Sequence, residues 1–89
     1  MRFTWDPAKE RRNQRKHAIT FQEATSVFGD PLAVTIFDPD PSMDEQRLLT
    51  IGQSASGRLL VVCHTEQGDT IRIISARRAT PHERQDYEK

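Results

Sequence analysis

Three β-branched, apolar runs separated by short glycine turns constrain this chain most. They span Arg47 to Gly52, Leu59 to Thr65 and Thr70 to Ala76, with Ser56-Gly57 and Gly68-Asp69 in the connections. Turns this short close antiparallel hairpins, so the sequence predicts a meander. Leu32 to Phe37 supplies a further strand before it. Leu59-Leu-Val-Val-Cys63 is apolar on both alternating sets, as expected of a central strand covered on both faces, whereas its neighbours alternate more clearly.

Helical signals frame these strands. Arg2-Phe-Thr-Trp5 is a short strand candidate, closed by Asp6-Pro7, a capping carboxylate followed by proline at the first helical position. The helix that follows is expected to run to about His17. Lys9, Arg11, Arg12, Arg15 and Lys16 leave it almost no apolar stripe with which to dock. Thr20-Phe-Gln-Glu23 matches a capping box and opens a second helix carrying Phe21, Ala24, Val27 and Phe28, which stops at Gly29-Asp30-Pro31. Thr80-Pro-His-Glu83 is another capping box, opening a last helix. Between the first two strands of the meander, Asp38 to Glu45 is an acidic loop of the kind that often serves binding. The expectation is a single α+β domain over residues 1–89, a small antiparallel meander with N-terminal helices and a C-terminal helix packed on it.

Charge narrows the function classes. The chain is formally neutral. Yet Met1 to His17 carries six Lys/Arg against two acids, Ala18 to Thr70 two against eight, and Ile71 to Lys89 five against three. Basic ends around an acidic middle tell against a wholly basic nucleic-acid coat and allow a local basic groove. Cys63, the single cysteine, sits in an apolar run and reads as core, so nothing points to an oxidising compartment. No stretch resembles a secretion signal or approaches the roughly 18 apolar residues of a membrane span, and a soluble cytoplasmic protein is expected. His17, His64, His82 and Cys63 lack ligand-like spacing on one element, so neither a metal nor another cofactor is expected.

What remains is acid–base chemistry assisted by arginines. Thr70 to Arg84 runs from a strand through Arg72, Arg77 and Arg78 into a helix start, and fixed guanidiniums suit phosphate or carboxylate groups. A salt-bridged sheet edge is the alternative. If strict alternation holds on both strands, His64 and Arg72 become cross-strand neighbours. An imidazole that accepts a 2′-hydroxyl proton beside a guanidinium that stabilises phosphorane charge suffices for RNA cleavage without metal. His64 can equally be a half-buried structural histidine, and Glu45 or Glu66 can tie Arg72 down as architecture. The basic helix, through Arg12, Arg15, Lys16 and His17, is free to line an RNA groove or a protein interface, although cations at a helix C-terminus also suit the dipole. Tyr87 and Trp5 can stack on bases or serve as packing.

Phe3-Thr-Trp-Asp-Pro-Ala-Lys9, Asn13-Gln-Arg-Lys-His17 leading to Phe21-Gln-Glu-Ala24, Glu45-Gln-Arg47, Ile51-Gly52, and Arg72-Ile-Ile-Ser-Ala-Arg77 ending in Glu83-Arg84 and Tyr87 occur here in one order. As a set they resemble the BrnT toxins of bacterial type II toxin–antitoxin systems. The resemblance implies a fold related to the RelE-like ribonucleases and an endoribonuclease that stops translation and growth. It also implies a BrnA-type ribbon-helix-helix antitoxin as partner, with operator DNA reached only through that antitoxin. Lys16, His17, Glu45, Arg47, His64, Arg72, Arg77, Arg78 and Tyr87 match the family pattern, without a division into catalytic and binding roles. A noncatalytic module that docks RNA or protein through the same surface stays open beside the nuclease.

Overall fold

The computed structural model describes residues 1–39 and 46–88. Glu45 and most of the acidic loop lie outside the described residues. The chain forms β1 (Arg2–Trp5), α1 (Pro7–His17), α2 (Phe21–Ser26) with a 3-10 turn (Val27–Gly29), β2 (Val34–Phe37), β3 (Leu48–Gln53), β4 (Leu59–Gln67), β5 (Thr70–Arg78) and α3 (Pro81–Tyr87). The five strands make one sheet in the order β1-β5-β4-β3-β2. The meander from β2 to β5 is as expected. The sheet as a whole is mixed rather than antiparallel, because β1 joins β5 in parallel. Each helix begins at its anticipated cap, with Asp6 accepting from Ala8 N, Thr20 from Glu23 N and Thr80 from Glu83 N.

One face of the sheet is covered by α2. There Ile19, Phe21, Ala24 and Val27 bury Leu60, Val62, Ile71, Ile73 and Ala76. The other face is shorter of cover, and α3 closes only its Ile51, Leu59 and Val61 end through Tyr87. Core burial on this scale supplies about 1.5–3 kcal/mol per large side chain. Gly52 lets the 3-10 turn approach β3, since a Cβ there would lie 2.8 Å from Val27 Cγ1 and 3.0 Å from Ala33 Cβ.

α1 solves its lack of an apolar stripe with polar docking. Asn13, its one buried residue, donates to Ile19 O (3.1 Å) and accepts from Ala76 N (3.0 Å), satisfying the edge of β5 beyond the reach of β1. Glu10 accepts from Phe21 N at 3.0 Å, tying α1 to the start of α2. The helix ends with Ala18 in the left-handed region, φ 57°.

A bulge between β4 and β5 overturns the expected pairing of His64 with Arg72. Cys63 pairs with Ser75 but His64 pairs with Ile73, leaving Ile74 as an extra residue. Arg72 is thereby set opposite Thr65 and points to the other face from His64.

Candidate active site

His64 is wholly enclosed. Its Nε2 lies 2.7 Å from Thr50 Oγ1, and Thr50 in turn bonds Thr35 at 2.8 Å. Phe28 meets the ring edge-on with centroids 4.9 Å apart. Burial pushes its pKa down, with Glu66, whose carboxylate is 3.9 Å from Nδ1, pulling weakly the other way. With side-chain exposure of 0%, this imidazole is beyond the reach of an RNA backbone in this structure.

The arginines of β5 are dispersed rather than clustered. Arg77 forks onto Glu83 through bonds of 2.7 and 2.8 Å, and Glu83 also accepts from Thr80 N. The Arg77 hydrogen bonds bring the Glu83 carboxyl down to about 2. That arrangement anchors α3. Arg78 pairs with Leu60 and so lies on the opposite face from Arg77, exposed to solvent. Arg72 is exposed, and no carboxylate lies within ion-pair distance of it among the described residues; Glu66 is not its partner.

The basic groups that do converge lie between α1 and the less covered face of the sheet. Lys9, Arg12, Asn13, Lys16 and His17 line one wall of a cleft, and Arg47, Ile74 and Ser75 form the other. The helical spacing produces the first wall, since positions 9, 12, 13 and 16 fall on one stripe. The bulge produces the second, because it turns Ile74 and Ser75 toward α1. Asn13 holds the walls together through β5. Continuing the β3–β4 register by one residue sets Arg47 beside Thr65, whose other neighbour is Arg72. One strand, β4, separates the arginines, which sets their backbones about 10 Å apart on one face.

Other anticipated residues lie elsewhere. Arg15 lines a separate hollow with Arg11 and Gln14. Tyr87 donates to Asp30 Oδ2 at 2.6 Å; hydrogen bonds from Gln53 N, Tyr87 and Leu32 N lower the Asp30 pKa. Trp5 packs edge-on against Phe21 in the core. Lys9 and Ser75 belong to the cleft without having been singled out as site residues. The stripe that carries Lys9 through Lys16 was visible in the sequence, whereas Ser75 depends on the bulge. Among the described residues no group of three His, Cys, Asp or Glu could hold a metal ion, and no helix is long and apolar enough to cross a membrane. Cys63 is buried at 8% exposure, as read, and desolvation pushes its thiol pKa up.

Residues 5–83 match the family model described as ribonuclease toxin, BrnT, of type II toxin–antitoxin system. Among solved structures, the chain is similar to the Brucella abortus ribonuclease toxin BrnT, determined at 1.1 Å. The TM-score is 0.64 at 23% identity, covering 90% of this chain and 97% of that one. No curated protein matches the sequence.

Proposed function

The chain belongs to the BrnT family of ribonuclease toxins of type II toxin–antitoxin systems, and we propose that it cuts RNA as a metal-independent endoribonuclease in the cleft between α1 and the sheet. The observation that carries this reading is the convergence of Lys9, Arg12, Lys16, His17 and Arg47 on one opening. Four cationic side chains suit a phosphodiester backbone. A histidine among them suits proton transfer near neutral pH.

In the proposed reaction His17 takes the proton from a ribose 2′-hydroxyl. The 2′-oxygen attacks the adjacent phosphorus, the P–O5′ bond breaks, and the leaving O5′ receives a proton from the Lys16 ammonium. The products are a 2′,3′-cyclic phosphate and a 5′-hydroxyl. Arg12 and Arg47 stabilise the charge that builds on the non-bridging oxygens. Arg72, on the same face beyond Thr65, holds a neighbouring phosphate. His64 supports the core instead of serving as the base, which its enclosure favours. Glu45, two residues before Arg47 in sequence, is retained as a candidate.

Cleavage of this kind would inhibit translation and growth in the cytoplasm until a BrnA-type antitoxin neutralises it. The test is incubation of purified protein in chelator with an RNA and with DNA of the same sequence. Cut RNA and intact DNA are expected, since DNA lacks the nucleophile. RNA left whole in chelator and cut on adding magnesium would overturn metal independence. RNA bound but never cut would favour the noncatalytic alternative.

A further inference from the structure

Asp38 opens the acidic segment that follows β2, and the reaction drawn for the cleft makes no use of it. The register gives it a place there. Phe37 pairs with Leu48, and Asp38 N donates to Arg47 O at 2.8 Å, which carries the β2–β3 ladder one residue further. Asp38 and Arg47 are therefore cross-strand neighbours on one face of the sheet. Leu49 pairs with Cys63, so the thiol lies on that same face, diagonal to Arg47 on the next strand.

Side-chain contacts close the triangle. The Cys63 thiol donates toward Asp38 Oδ2 at 3.9 Å. Desolvation does most to raise the thiol pKa, and the Arg47 guanidinium and Asp38 carboxylate, both hydrogen-bonded to the sulfur, act on it in opposite directions. Arg47 is partly buried and its Nε is enclosed, so its stem is fixed before the guanidinium reaches the opening lined by Lys9, Arg12, Lys16 and His17. A long side chain already held in this way has less rotamer freedom left to lose when it meets a phosphate.

Charge makes the placement informative. A carboxylate beside a cleft for a polyanion weakens the attraction of the RNA, opposing the field that the cations supply. Orienting a guanidinium is a use that offsets this loss. The planar fork of arginine holds a carboxylate on one edge and keeps donors on another for a phosphate oxygen.

We propose that Asp38 is a positioning residue for the cleavage: its carboxylate, braced by the Cys63 thiol, aims the Arg47 guanidinium at the scissile phosphate. The inference rests on the proposed reaction, in which Arg47 stabilises the non-bridging oxygens, and adds to it a group that touches no part of the RNA. Asp38 acts only through Arg47. Removing its carboxylate therefore slows cleavage without weakening RNA binding, and does nothing more once Arg47 is gone.

The test compares Asp38→Asn, Arg47→Ala and the double variant with the parent in chelator, by single-turnover cleavage and by binding of a 2′-O-methylated RNA, at matched folded fraction. Asp38→Asn is nearly isosteric and should cut about 100-fold more slowly, the scale of misplacing a reacting group by about 1 Å, while its RNA affinity holds or rises. The double variant should be no slower than Arg47→Ala alone. Asp69→Asn, which removes a carboxylate exposed in the turn between β4 and β5, should cut at the parental rate. Parental cleavage by Asp38→Asn, or losses that add in the double variant, would overturn the inference. Parental cleavage by Arg47→Ala would overturn it as well, by removing Arg47 from the reaction. By NMR, the Arg47 Nε–H should exchange slowly with water in the parent and faster in Asp38→Asn, and equal exchange in the two would count against the positioning. A parent that leaves RNA whole yet shows this difference would defeat the nuclease reading alone, with Asp38 still the group that holds Arg47.

Discussion

Removing Arg12 should change the salt dependence of RNA binding by a predictable amount. Four cationic side chains, Lys9, Arg12, Lys16 and Arg47, line the cleft, and Arg72 adds a fifth contact beyond Thr65. Each phosphate neutralised on a single strand contributes about 0.7 to the negative slope of log affinity against log salt, so five contacts give a slope of about −3.5. Between 50 and 200 mM salt, affinity should then fall roughly 130-fold. Arg12→Ala leaves four contacts, a slope of about −2.8 and a fall of roughly 50-fold over the same range. Arg15→Ala should leave the slope at its parental value, because Arg15 lines a separate hollow with Arg11 and Gln14. The assay is fluorescence anisotropy of a labelled, 2′-O-methylated RNA, which binds but cannot be cut. Equal slopes for Arg12→Ala and the parent, or an equal loss in Arg15→Ala, would refute the placement of the RNA.

Three further outcomes concern the scaffold. Glu23 accepts from Arg58 Nε at 2.9 Å, Ser54 Oγ at 2.7 Å and Ser56 Oγ at 2.5 Å, chiefly Arg58 holding its carboxyl at about 2; Glu23→Ala should cost about 2 kcal/mol and lower Tm by roughly 10 °C by calorimetry. Since that carboxyl is depressed from 4.5, its contribution is full above pH 4.5 and is lost as pH falls toward about 2, so the parent and Glu23→Ala curves should converge in acid. His64 is depressed below 6.5 by burial, so the folded state disfavours its protonation and Tm should decline as pH falls below 6.5, a decline that His64→Gln removes. Gly52→Ala should destabilise by about 1–3 kcal/mol in denaturant melts, because its methyl would meet Val27 and Ala33.

Much of the architecture was legible because local rules agreed with one another. The three caps, the hairpin turns and the doubly apolar β4 all follow from residue type and period. What could not be read were competitions settled at long range. Glu23 was expected to close a capping box at Thr20, but Arg58, 35 residues on, and two serines claim its carboxylate instead. The bulge is faintly written in the spacing of inward residues Ile71, Ile73 and Ala76, a three-residue step where strict alternation allows two. Assuming alternation placed His64 beside Arg72. The parallel pairing of β1 left no local trace, since a four-residue strand separated from β5 by the whole meander has no turn to announce it. For the site, the α1 stripe was visible as charge, but its opposite wall required the bulge and the register of Arg47.

The most direct test of the cleft as the catalytic site is the single-turnover rate of RNA cleavage by His17→Gln in chelator, with saturating protein and the folded fraction matched to the parent. A rate lower by about 10²–10⁴-fold is expected, the range for losing a positioned base, with RNA affinity little changed. Cleavage by His17→Gln at the parental rate would contradict it.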